Sequence, residues 1–94
     1  MIVVLLEYKV SLDVIDGLRA AHLDWLREAI AADRLLVAGP QSPRTGGMFI
    51  ARGTLDEIRD WAANDPFALA GAADYRFIEV TPSLVAPGLE ALAQ

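Results

Sequence analysis

The chain has 94 residues, of which 54% are hydrophobic and 22% charged, so it has room for a single compact domain and is neither disordered nor fibrous. Its net charge is −5, and its eight Lys and Arg are scattered along the chain, so no patch tracks a phosphate backbone and nucleic acid is not an expected partner. Cysteine is absent, which excludes disulfides, thiolate nucleophiles and the usual structural zinc sites and fits a reducing cytoplasm.

Residues 2–8 open the chain with a β-branched, apolar run that lacks clean alternation. That pattern predicts a central strand covered on both faces, and the run is too short to span a bilayer or act as a signal segment, so no membrane partner is expected. From Asp13 the period changes. Ile15, Leu18, His22, Trp25, Leu26 and Ala29 recur at three- and four-residue spacing, with Asp16, Arg19, Asp24, Arg27 and Glu28 mainly elsewhere on the wheel, which predicts an amphipathic helix ending near Asp33. Leu35-Leu36-Val37-Ala38 reads as a second strand stopped by Gly39-Pro40. Residues 41–47 carry turn chemistry throughout, and Met48-Phe49-Ile50-Ala51 reads as a third strand pairing with the second.

Thr54 and Glu57 fit a capping box, with Glu57 reaching back to the helix start, and a second helix follows through Ile58, Trp61 and Ala62. After it, Asp65 is placed to cap a short helical turn that begins at Pro66. Tyr75-Arg76-Phe77-Ile78-Glu79-Val80 reads as the last strand. The domain is expected to span residues 1–82, with residues 83–94 as a tail that ends in weak helix.

The order β-α-β-β-α-β, with right-handed crossovers, predicts a four-stranded sheet with both helices on one face. A second copy covering the other face would give a homodimer of barrel-like form, with a pocket between helix and sheet in each subunit. The mean hydropathy of +0.35 is high for a lone small domain and points the same way.

His22 is the only histidine, and it lies on the apolar stripe of the first helix. A lone imidazole facing a cavity is a candidate general acid or base; its other reading is a buried structural residue with satisfied ring nitrogens. A base needs an orienting carboxylate. Asp24 points roughly 200° away around the helix and Asp33 lies about 16 Å farther along its axis, so neither reaches His22. Asp65 is free of that restriction, and it reads equally as a helix cap. Glycines 46 and 47 precede a strand and form no phosphate loop, the serines lack a nucleophile-elbow setting, and one histidine without cysteine does not support a metal site; no cofactor is expected. Trp25, Trp61 and Phe67 read as core or pocket wall, suited to a small planar or apolar ligand.

Three segments together, Arg19-Ala20-Ala21-His22-Leu23, Arg34-Leu35-Leu36-Val37-Ala38-Gly39-Pro40 and Asp65-Pro66-Phe67, resemble the YciI-like (YCII-related) family of small bacterial proteins. The resemblance runs from residue 2 to about residue 80. It implies a ferredoxin-like α+β fold of the dimeric α+β barrel type, and a pocket built on a histidine and an aspartate that match His22 and Asp65. Arg19, Gly39, Pro40 and Phe67 match neighbouring family positions. Dehydrohalogenation of small chlorinated aromatics is among the activities that the family implies. Residues 41–47 form a shorter loop than in some relatives and border the expected pocket mouth, so the site carries over and the substrate does not.

The expected function is therefore a small-molecule enzyme of lyase, isomerase or dehydrohalogenase type, in which His22 moves a proton and Asp65 holds its tautomer. Arg19 is expected to form a solvated salt bridge in preference to lining the pocket. The alternative is a non-catalytic metabolite-binding or accessory dimeric subunit, or a structural oligomer in which the polar pair only fixes helix packing.

Overall fold

The computed structural model describes residues 1–93. Strand β1 (Ile2–Tyr8) leads into helix α1 (Leu12–Ala31), followed by β2 (Leu35–Pro40), β3 (Gly46–Ala51), helix α2 (Leu55–Ala62), the single-turn helix α3 (Pro66–Leu69) and β4 (Ala73–Glu79). The strands form one sheet in the order β2-β3-β1-β4, every neighbouring pair antiparallel. This is the ferredoxin-like α+β arrangement, of the type that pairs into α+β barrels: two β-α-β crossovers place both long helices over one face. No helix among the described residues is long and apolar enough to cross a membrane.

Local chemistry explains most boundaries. Ser11 caps α1, accepting from the Val14 amide, and Asp33 follows the helix in the left-handed region, a conformation that aspartate tolerates better than most residues. Thr54 caps α2 by accepting from the Glu57 amide at 3.2 Å. The reciprocal half differs from the expected capping box, because the Glu57 carboxylate accepts from the Thr54 hydroxyl at 3.0 Å instead of reaching a backbone amide.

Strand β2 runs through Gly39 and Pro40 instead of stopping before them, with Gly39 opposite Met48 and Pro40 opposite Gly47. It is an edge strand, and the Gln41 amide bonds to the Gly46 carbonyl, so Pro40 falls in a non-hydrogen-bonded pair where a missing N–H costs nothing. Strand β3 begins two residues earlier than expected, at Gly46. A Cβ on Gly46 would lie 1.7 Å from the Leu6 carbonyl oxygen, so this crossing of β3 over the end of β1 needs glycine. Strand β4 likewise starts earlier and ends at Glu79.

The core lies between sheet and helices. Ile2, Val4 and Leu6 from β1 and Phe49 from β3 meet Ile15 and Leu26 of α1, Ile58 of α2 and Phe67 of α3. Fully burying one such side chain contributes about 1.5–3 kcal/mol. Strand β1 is not covered on both faces within one chain: Val3 and Leu5 alternate with its buried residues and are half-buried. They share the open face of the sheet with their register partners Met48, Ile50 and Ile78.

Two glycines separate backbone crowding from backbone entropy. Gly46→Ala is expected to lower stability by about 2–3 kcal/mol or more through overpacking. Gly17→Ala, inside α1 with nothing within 4 Å, is expected to raise it by about 0.5–1 kcal/mol. Urea-unfolding midpoints of the two variants check both signs; a neutral Gly46→Ala would refute the crowding.

Candidate active site

The third turn of α1 carries His22 on the side facing the sheet, where the residue is only 8% exposed. The end of α2 and the capped turn of α3 carry Asp65 to the same place, and Asp65 is wholly buried. His22 Nδ1 and Asp65 Oδ1 are 2.7 Å apart. The same Oδ1 accepts from the Phe67 amide at 3.0 Å, which is the helix-cap bond, and Oδ2 accepts from the Tyr75 hydroxyl at 2.6 Å. Asp65 thus caps a helix and contacts the histidine at once.

The arrangement selects one tautomer. An ionised carboxylate only accepts, so the proton between the pair belongs to His22 Nδ1 and Nε2 carries a lone pair. Nε2 has no protein partner, yet no buried side-chain nitrogen or oxygen among the described residues lacks one, so this nitrogen opens to the cavity beside it. The imidazole stacks on Phe67 with centroids 3.9 Å apart and an interplanar angle of 12°. Phe49 and Trp25 flank it at about 6 Å, and Trp25 stacks in turn on Trp61. These contacts hold the ring in one orientation from three sides.

The cavity has a volume of about 410 Å³, within the roughly 300–1,000 Å³ of small-molecule sites. Its floor is apolar, with Leu6, Ile15, Leu26, Phe49 and Phe67. Its polar groups are His22, Tyr8, Arg19, Asp16 and Arg44, and Gly39 and Pro40 of the edge strand form one wall. Arg44, from the turn between β2 and β3, reaches across the mouth to the Asp16 carboxylate on α1. That hydrogen bond raises the guanidinium above its usual range, so it stays cationic. Arg19 is exposed and lines the mouth, in place of the expected solvated salt bridge; it takes part in none of the ion pairs among the described residues.

The cavity therefore gathers His22, Arg19, Gly39, Pro40 and Phe67 around one space, with Asp65 behind the histidine. Sequence reading passed over Tyr8, Tyr75 and Arg44 as site residues and placed Asp16 only away from the apolar stripe of the first helix. Tyr8 shares parity with Ile2, Val4 and Leu6, and Tyr75 shares it with Ala73 and Phe77, so period two placed both on the helix-facing side of the sheet. Arg44 lies in a turn and offered no periodic signal. Among the described residues, no cluster of His, Asp and Glu has the form of a metal site.

The YCII-related domain family matches residues 1–81 of the chain. No curated protein matches the sequence. Among solved structures, the 5-chloro-2-hydroxyhydroquinone dehydrochlorinase of Burkholderia phenoliruptrix, in complex with 2,5-dihydroxybenzoquinone, is 26% identical with a TM-score of 0.71 over 85% of this chain and 93% of that one.

Removing the Asp65 side chain strands the imidazole N–H and the Tyr75 hydroxyl and uncaps α3. Asp65→Ala is expected to cost roughly 3 kcal/mol or more, against within about 0.5 kcal/mol for the exposed Asp16→Ala. Chemical denaturation of the two variants tests this, and an equally small loss at both sites would show Asp65 to be dispensable to the fold.

Proposed function

The chain belongs to the YCII-related domain family, and from that premise we propose that it is a small-molecule enzyme in which His22 accepts and returns a proton through Nε2 while Asp65 holds its tautomer and stabilises the imidazolium. The observation that carries this reading is the 2.7 Å contact of Nδ1 with a wholly buried carboxylate, which leaves the other ring nitrogen facing a cavity of substrate size. The similarity to a dehydrochlorinase makes halogen elimination from a small hydroxylated ring the first reaction to test.

Such a reaction suits these residues. In loss of HCl from a chlorinated polyhydroxybenzene, one hydroxyl proton moves to the ring carbon that bears chlorine. A second hydroxyl proton leaves with chloride as the C–Cl bond breaks, and the ring becomes a quinone, so the balance needs no external oxidant. A single base that takes and gives protons serves both transfers. Phe49 and Phe67 offer a flat apolar wall to the ring, and Arg19 and Arg44 supply positive charge for ionised ring oxygens. The functional unit is proposed to be residues 1–82, with residues 83–94 as a tail outside the site, and to act as a homodimer in which a second copy covers Val3, Leu5, Met48 and Ile50.

Three measurements test the proposal. His22→Ala is expected to fold with a lowered melting temperature, because Asp65 loses one of its partners, and to keep ligand affinity while losing about a thousandfold in chloride release from 5-chloro-2-hydroxyhydroquinone. Ligand-induced thermal stabilisation without turnover, in the wild type, would instead make the protein a non-catalytic binding subunit. Sedimentation is expected to give twice the 10.1 kDa chain mass, and a monomer would refute the pairing.

A further inference from the structure

We propose that Tyr75 is a positioning residue for the His22–Asp65 pair: its hydroxyl holds the far carboxylate oxygen, fixes the plane in which the near oxygen meets the imidazole, and draws off part of the negative charge that faces it. The inference rests on the acid–base reading of the site and adds to it a third side chain that touches no substrate.

Three observations carry it. The two oxygens of Asp65 are divided without overlap: Oδ1 takes the Phe67 amide and His22, and Oδ2 takes only Tyr75. With Asp65 wholly buried, Oδ2 would be an orphaned acceptor without that hydroxyl, and the plane of the carboxylate would be set by the contacts of Oδ1 alone. The O···O separation of 2.6 Å is that of a hydrogen bond to a charged acceptor. Tyr75 comes from β4, an element that contributes nothing to the cavity lining, so its hydroxyl approaches from behind the pair. Burial first, and the Asp65 contact second, raise this phenol far above the ordinary tyrosine range, so it remains a donor at any pH at which histidine titrates.

The other titratable or charged groups near His22 are Asp16 and Arg19 on its own helix, Tyr8 on β1 and Arg44 on the β2–β3 turn, and all four line the cavity. On the Nδ1 side, the side chains joined to the ring by hydrogen bonds among the described residues are Asp65 and, through it, Tyr75. A strong donor on Oδ2 makes the carboxylate a weaker proton acceptor. The proton between the pair then stays on the imidazole, and a protonated ring discharges more readily to substrate.

The chain has one histidine, so its ring signals are unambiguous, and the test needs no substrate. The imidazole titration is followed by NMR in the full-length wild type and in Tyr75→Phe. Loss of the hydroxyl is expected to raise the midpoint by about half a pH unit, because the carboxylate is left more basic. The acidic limb of the pH–rate profile should move with it. A midpoint that is unchanged or lower would overturn the proposal.

Should Tyr75→Phe not fold, the wild type and Tyr8→Phe decide. A slowly exchanging hydroxyl proton with cross-peaks to the Tyr75 ring is expected in both, and its absence would overturn the proposal equally. Failure of the acid–base reading looks different: His22→Ala would keep its turnover while the titration shift in Tyr75→Phe stood.

Discussion

A carboxylate cut off from water has to receive its hydrogen bonds from the protein, and at Asp65 three elements supply them. The amide at the start of α3, the imidazole of α1 and the phenol of β4 converge on one side chain. Leaving such a group unsatisfied costs on the order of 1–3 kcal/mol for each lost partner, a large part of what a domain of this size has to spare. The contact that orients a candidate catalytic histidine is therefore also one that ties two helices to the sheet. A position serving both purposes has little freedom to change.

The aromatic residues around the pair extend the same constraint. Phe67 is a core residue, the partner on which His22 stacks and part of the cavity wall, and its own amide completes the cap on Asp65. Packing of this kind fixes ring orientation without covering Nε2. The remaining side of the cavity is built from the edge strand β2 and the turn that carries Arg44, whose ion pair with Asp16 crosses the mouth.

Much of this was legible in the sequence. The three- and four-residue spacing of α1 put His22 on the buried stripe, helix geometry removed Asp24 and Asp33, and the Asp65-Pro66 step marked a capped turn. The boundaries that escaped it depend on tertiary position. Gly39-Pro40 breaks a central strand but not an edge strand, and nothing local distinguishes the two. Gly46 looks like part of a turn until the close approach of Leu6 makes it the start of β3. Tyr75 sits at the correct parity for the helix-facing side, but pairing it with Asp65 requires knowing that β4 runs past α3. Arg44 reaches the site across a turn that has no periodicity to read. Likewise, β1 reads as covered on both faces because its composition includes the open face of the sheet, which one chain leaves half-exposed.

The central claim is that His22 carries its proton on Nδ1 and offers a bare Nε2 to the cavity, and the tautomer can be observed directly. A histidine side chain free in water favours the Nε2–H form, so the site has to reverse that preference. Nitrogen-15 NMR of the single histidine, recorded above its titration range, is predicted to show a protonated Nδ1 and an unprotonated Nε2. A dominant Nε2–H form would mean that the carboxylate does not hold the ring, and would contradict the account.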